Sequence, residues 1–339
     1  MMVAAMVSTS LSIQSIMIVI VVCGLTVLLG MIGIPVLRRL RVGQTVRDDG
    51  PRSHFSKSGT PTFGGFFFLI PLFFLGLVSF LSDEIPDQTG ILILLMLAFG
   101  GVGFLDDWIK VRISKKGLSV KQKTILLLLI SIAFSYYYLY ASPDAAVFRM
   151  PLNGPVWEIT GWLRIPYAVF IILVLFFTSN SVNLTDGVDG LAASVTVISC
   201  LSLGIAGLAI LPQTDAVTGS ALVAFSISGG CLGFLIFNHH PARVFMGDTG
   251  SQALGAGFTG IALFYGVPWL ILLVGVIYVA ESLSVIIQVI YFKRTGGRRI
   301  FRMSPIHHHY ELGGWSENRI VSVFCLVTLI GSVIGLLML

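Results

Sequence analysis

Charge is the scarcest property of this sequence. Only 11% of its 339 residues are Asp, Glu, Lys or Arg, where a soluble domain carries roughly a quarter. The 16 acids and 21 bases are too few to coat a water-facing surface of this size. Soluble enzymes, disordered chains, fibres and secreted disulfide scaffolds are excluded on that count. Cysteine is also sparse: Cys23, Cys200, Cys231 and Cys325 each stand in an apolar run with no CxxC spacing. They read as small buried hydrophobes, not as zinc or redox ligands. No Lys or Arg precedes Arg38, and the apolar run before it is too long for a signal-peptide core, so it reads as an uncleaved first span. A GxSxG nucleophile elbow, a Walker A lysine loop and an HExxH zinc motif are all missing.

What is abundant is apolar length. Hydrophobic residues make up 55% of the chain and the mean hydropathy is +0.93. Runs near 20 residues cross a bilayer as helices. Ten are expected: Leu11–Leu37, Phe63–Leu81, Ile91–Leu105, Thr124–Tyr140, Pro166–Thr178, Leu191–Leu211, Ser220–Phe237, Gln252–Tyr265, Val267–Phe292 and Ile320–Leu339. No repeat or separate soluble unit is visible, so residues 1–339 read as one all-α integral membrane domain. All but Arg149 and Arg164 of the 21 Lys and Arg fall in loops on one side of this arrangement. The positive-inside rule makes that side cytoplasmic and puts both termini outside. The six histidines and Asp106, Asp107, Asp186, Asp189 and Asp248 collect on the same side, whereas the outer loops hold only scattered acids such as Asp83, Glu84 and Asp87. An active site on the cytoplasmic face, for a charged substrate, follows.

Four inner segments are polar enough for chemistry. GFLDDWIK places Asp106 and Asp107 at a membrane edge, where paired carboxylates hold a divalent metal or supply a base; a solvated helix end is the plainer alternative. NSVNLTDGVDGLAA carries Asp186 and Asp189 with no cation in the segment, which calls for a metal or a distant partner. Helix capping accounts for one of these acids but not for both together with Asn180 and Asn183. FNHHPARVFMGDTGSQALGA sets Asp248 among small residues at a helix start, suited to Mg²⁺ and phosphate oxygens. Phe245 there offers a flat face to a base, or simply packs. KRTGGRRIFRMSPIHHHYELGGWSENR holds three consecutive histidines, which splay round a helix too widely to serve one metal. Within the ninth run, Glu281 and Gln288 are polar groups at membrane depth, where such residues are usually functional.

Together these segments resemble the polyprenyl-phosphate N-acetylhexosamine-1-phosphate transferases over nearly the whole chain. The likeness is carried by VGQTVRDDGPRSHFSKSGTPTFGG (Val42–Gly65), GFLDDWIK, NLTDGVDGLA, NHHPARVFMGDTGS and RMSPIHHHYELGGW. The SKSGTPTFGG and HHHYE stretches resemble the muramoyl-pentapeptide branch. The resemblance implies transfer of phospho-MurNAc-pentapeptide from UDP to undecaprenyl phosphate in a bacterial cell membrane. Mg²⁺ as cofactor, a cytoplasmic site and a homodimer are implied with it, and no nucleic-acid partner.

Carried over by motif position, Asp248 is the implied Mg²⁺ ligand and Asp106 the implied base on the lipid phosphate, with Asp107 beside it. Asp186 is a further acid of the family motif and His307 a further catalytic candidate. In a second family proposal one aspartate is a covalent nucleophile. Lys57, Gly187, Val188, Asp189, Asn238 and Phe245 match the uridine side, Phe245 stacking on uracil. Asn183, Ser251, Gln288 and His308 match polar groups of the nucleotide and sugar site. The ninth span of this family is broken and bends away, forming part of a groove for the lipid chain. A sibling activity, moving GlcNAc-1-phosphate from UDP-GlcNAc, is the alternative. A carrier is the weaker one, because transporters gather polar groups at the bilayer midplane and these acids gather at one edge.

Overall fold

The computed structural model describes residues 2–40, 42–43, 57, 59–114 and 116–339, with side chains from residue 13 onward. Most of the Val42–Gly65 motif, including His54, lies outside the described residues, as do Arg41, Arg47, Arg52 and Lys115.

Helix α1 (Met2–Arg39) is followed by α2 (Phe66–Leu81), α3 (Asp87–Arg112), α4 (Val120–Tyr136), α5 (Arg164–Thr185), α6 (Leu191–Ile205) and α7 (Asp215–Asn238). Then come α8 (Gly247–Phe264), the short α9 (Ile271–Val274), α10 (Val276–Arg294), the short α11 (Ile306–Glu311) and α12 (Glu317–Leu337). Eight helical stretches among the described residues are long and apolar enough to cross a membrane. The molecule is therefore an all-α, multi-pass membrane protein.

The spans differ from the sequence expectation in three instructive places. The third and fifth apolar runs are longer helices than their hydropathy suggests, because α3 continues through Asp106–Arg112 and α5 through Asn180–Thr185. Polar residues at these ends stay helical where they meet partners from other helices. The second run becomes the shorter α2, of 16 residues, whereas the eighth lengthens into α8, of 18, which begins at Gly247. Helix α8 is rich in Gly, Ala, Ser and Thr rather than Leu, and every residue from Thr249 to Phe264 is buried between α3, α5 and α7. The ninth run is broken at Gly275, whose dihedrals of −108° and 22° separate α9 from α10.

Side chains outside the bundle are apolar. On α1, Ile16, Met17, Ile20, Met31 and Ile32 are exposed, which in water would be an aggregation hazard and in a bilayer is ordinary contact with lipid. Helix α1 ends on Arg38 and Arg39 and α3 on Lys110 and Arg112, where cations favour the negative end of the helix dipole. One end of the bundle carries a two-stranded hairpin, β1 (Val147–Arg149) and β2 (Val156–Glu158), with Phe148 opposite Trp157. It is anchored by Arg149 N–H donating to Gly266 O and Leu152 N–H to Met338 O. The other end gathers the C-termini of α3, α5 and α7 and the N-termini of α4, α8 and α12. That is the chemically rich end.

Candidate active site

The close approach of α3 to the start of α8 sets up the first cluster. Gly103 lies directly against the Asp248 carbonyl, where a Cβ would collide with it. One turn on, the Asp107 carboxylate receives Thr249 N–H at 2.9 Å and the Thr249 hydroxyl at 2.8 Å. Asp107 thus caps α8 from another helix, satisfying a donor that the helix start leaves free. Gly247, at φ +71°, makes the turn into α8 beneath that carboxylate.

Asp106 turns to the lysines, and Lys110 Nζ also comes within 4.0 Å of Asp107 Oδ1. Asp106 Oδ1 accepts Leu118 N–H at 2.6 Å, and its Oδ2 lies 2.8 Å from Lys110 Nζ and 3.5 Å from Lys123 Nζ. The same two ammonium groups reach Asp248 Oδ2, at 2.9 Å and 2.6 Å. Lys123 is delivered by a capping box: Ser119 Oγ accepts Gln122 N–H while the Gln122 side chain accepts Ser119 N–H, so α4 begins just before the lysine. Asn183 on α5 completes the group, donating to Asp248 Oδ1 at 2.9 Å and to Ser251 Oγ at 2.8 Å. Asp106 and Asp107 are 3% and 4% exposed, so their charges depend on these partners rather than on water. Asp106 from α3 and Asp248 from α8 turn hard oxygen donors, the type Mg²⁺ takes, toward one spot, which Lys110 and Lys123 occupy. The lysines resting on the same oxygens mark the spot as one that concentrates positive charge.

The second cluster forms around the loop after α5. Lys57 Nζ sits 2.7 Å from both Asp189 Oδ1 and Glu317 Oε2. Glu317 Oε2 also accepts Asp189 N–H, while Asp189 Oδ2 accepts Ala242 N–H at 2.9 Å and lies 3.1 Å from His240 Nδ1. Asn238 ties the loop to the end of α7, accepting Gly190 N–H and donating to Val244 O. Asp189, His240 and Glu317 have the spacing of a metal triad, but the Lys57 ammonium already pairs with both carboxylates. Val188 is buried in this loop. Phe245 is held by its backbone, between Pro61 O and Gly64 N–H, and its ring joins no aromatic stack among the described residues.

Asp186 lies between the clusters, just beyond the end of α5. The surrounding protein withdraws water from it, and this burial pushes its carboxyl well above the usual carboxylate range; the charges of Asp248, Asp107 and Asp189 push the same way, against Lys57.

The three histidines go to three different partners, as helical splay requires. His307 Nδ1 meets Glu281 Oε1 at 3.0 Å, His308 Nδ1 meets Glu311 Oε2 at 3.0 Å, and His309 Nδ1 accepts Arg302 N–H at 3.1 Å. Gln288 spends its amide on the backbone, accepting Ile300 N–H and Phe301 N–H and donating to Phe301 O. In this structure it therefore shapes the loop before the histidines. Between α2 and α3 an apolar groove, lined by Phe66, Leu69, Phe73, Leu97 and Phe104, runs up to Thr249.

The geometry brings Asp106, Asp107, Asp248, Asn183 and Ser251 into one cluster and Lys57, Asp189 and Asn238 into another, while Gln288 meets the backbone of residues 300–301 and His308 meets Glu311; it also adds residues that the motifs did not mark. Lys110 and Lys123 read in the sequence only as topology charges. The signal for Lys110 was its spacing, three and four residues after the acid pair. Nothing local marks Lys123, Glu317 or His240, whose partners lie on distant helices.

A sequence profile of Glycosyl transferase family 4 matches residues 89–266, the stretch from α3 to the end of α8. Curated relatives named phospho-N-acetylmuramoyl-pentapeptide-transferase cover nearly the whole chain. The Listeria monocytogenes protein is 46% identical over 307 residues, 89% of this chain and 91% of its own length. The Acetivibrio thermocellus protein is 45% identical over 314 residues, 91% of each, and that of Pelotomaculum thermopropionicum 45% over 318 residues, 92% and 94%. At this identity and coverage, the chain belongs to glycosyl transferase family 4, on the branch of the phospho-N-acetylmuramoyl-pentapeptide-transferases.

Proposed function

We propose that this membrane transferase moves phospho-MurNAc-pentapeptide from UDP-MurNAc-pentapeptide to undecaprenyl phosphate, forming lipid I and releasing UMP, at the cytoplasmic face of a bacterial membrane. The observation that carries the reading is the pairing of two lysine–carboxylate clusters, at Asp248 and at Asp189, joined by the end of α5 at Asn183 and the loop that follows it to Asp189. A diphosphate held between a nucleoside and a sugar needs a cation-rich place for its phosphates and a separate place for its base, and this end of the bundle offers both.

The reaction forms one phosphoanhydride and breaks another. An oxygen of the lipid phosphate bonds to the sugar-bearing phosphorus, and the bond from that phosphorus to the bridging oxygen of UMP breaks. The driving force is small, so catalysis is mostly charge neutralisation and alignment. Lys110 and Lys123 bring the two anionic reactants together. Asp106, between these ammoniums, takes the proton of the lipid phosphate when that group arrives protonated. Asp107 holds the start of α8 and, with it, Asp248. Lys57, Asp189 and Asn238 receive the uridine, with Phe245 beneath the base. Mg²⁺ bound at Asp248 would supply further neutralisation of the diphosphate. The apolar groove ending at Thr249 suits an acceptor with a long hydrocarbon chain. A homodimer is part of the reading and is checked by light scattering of the detergent-solubilised protein.

The test is UMP release by purified protein given undecaprenyl phosphate with either UDP-MurNAc-pentapeptide or UDP-GlcNAc, each with Mg²⁺ and with EDTA. Turnover of the muropeptide nucleotide alone, abolished by EDTA, is expected. Turnover of UDP-GlcNAc alone would move the substrate to a sibling, and UMP from neither would end the transferase reading. Turnover undiminished by EDTA would remove Mg²⁺.

A further inference from the structure

Glu281 is a carboxylate at membrane depth on α10, 0% exposed, and the transfer described above makes no use of it. A buried acid there persists only with a committed partner. Its partner is His307, itself 1% exposed. Glu281 Oε1 lies 3.0 Å from His307 Nδ1, and Glu281 Oε2 faces the His307 backbone N–H at 3.4 Å. Both carboxylate oxygens thus engage one residue, holding the imidazole and the start of α11 together. The α10 helix is in turn fixed to α5 one residue further on, where Ser282 Oγ donates to Ser181 Oγ at 2.6 Å.

The other ring nitrogen is left open. His307 Nε2 is buried and has no hydrogen-bond partner. It is aimed at Gly187, where a Cβ would collide with it, in the loop that joins the two clusters. An orphaned ring nitrogen at such depth is costly unless a ligand completes it.

We propose that Glu281 is the positioning residue of His307: it fixes the tautomer that carries its proton on Nδ1, so that Nε2 keeps a bare lone pair beside the Gly187 loop, for a hydroxyl or amide N–H of the nucleotide-sugar bound at that loop. The inference rests on the function proposed above and deepens it. A carboxylate behind an imidazole selects which nitrogen bears the proton, because only Nδ1–H can donate to it. Gly187 packs directly against this nitrogen, and any side chain there would push the ring off Glu281.

Two experiments decide it, both on the full-length protein in detergent with undecaprenyl phosphate, UDP-MurNAc-pentapeptide and Mg²⁺. The first is the kinetic cycle of E281Q, H307N and the double variant. E281Q is expected to lower kcat/KM roughly ten- to hundredfold with unchanged Tm, E281D to recover part of it, and E281Q to cost nothing further in the H307N background. Wild-type rates in E281Q, or equal losses in both backgrounds, would overturn the proposal. The second needs no substitution at Glu281. In ¹⁵N-histidine-labelled wild-type protein, with the His307 signals assigned by their absence in H307N, Nδ1 should be protonated and Nε2 bare; a proton on Nε2 would overturn it even if E281Q fails to fold. Wild-type protein that releases no UMP defeats the function itself, whereas active wild type with an additive cycle defeats only the role of Glu281.

Discussion

Asp107 and Thr249 are joined twice, through the threonine backbone N–H at 2.9 Å and its hydroxyl at 2.8 Å. The contact latches the end of α3 to the start of α8, one residue beyond Asp248. The two adjacent aspartates therefore weigh their work differently: Asp107 chiefly builds the site, with Lys110 4.0 Å from its other oxygen, while Asp106 contacts both lysines within it.

Removing the latch should cost stability before chemistry. Asp107→Ala is expected to destabilise the fold by about 1–2 kcal/mol, the worth of a helix cap, with loss of turnover as Asp248 loses its support. Thr249→Val should act in the same direction and less. The check is Tm and UMP release measured on the same preparations; an unchanged Tm for Asp107→Ala would mean that the cap is dispensable.

Lys123 reaches Asp248 at 2.6 Å from the first turn of α4. Lys123→Met keeps the stem of the side chain and deletes its charge, leaving the carboxylates with Lys110 alone. A fall in kcat of roughly 10²-fold is expected, as for loss of one preorganised charge stabiliser. Retention of full turnover would show that Lys110 suffices.

Phe245 should govern binding rather than rate. Stacking of a base on an aromatic ring is worth about 1–3 kcal/mol, so Phe245→Ala should raise KM for the nucleotide substrate about tenfold or more with a smaller change in kcat. The measurement is full Michaelis curves; a loss confined to kcat would take the ring out of the uridine site.

Asp186, outside the spanning helices, is a carboxyl with its proton affinity raised by burial and by its acidic neighbours. An unfolded chain ionises it near the ordinary value of about 3.9. Its contribution to stability is complete below that value and is lost as pH rises through the raised folded value. Asp186→Asn removes this loss, so the variant should gain Tm relative to wild type as pH increases. Thermal unfolding between acid and mildly alkaline pH tests it, and parallel curves for the two proteins would contradict it.

Much of this molecule is legible along the chain. Apolar runs and the one-sided distribution of Lys and Arg announce a multi-pass helical protein with chemistry at one end. GFLDDWIK and MGDTGS mark Asp106, Asp107 and Asp248 by composition alone. The legible part is whatever depends on neighbours in sequence: hydropathy, helix caps such as Ser119 with Gln122, and the spacing that sets Lys110 one turn from Asp106.

The rest is decided only when helices meet. Helix α8 has too few large apolar residues to look like the centre of a membrane protein, yet its small side chains are what let α3 and α5 approach closely enough to converge on Asp248. Glu317 is one acid among several until α12 brings it to Lys57, 260 residues away. Asp106 and Asp107 are indistinguishable as letters, and their different duties follow from the side of α3 on which each projects. Sequence determines which segments leave water, because that free energy is summed locally. Which buried charge meets which is set by the packing of distant helices, since a charge without water must find its partner wherever the fold places one.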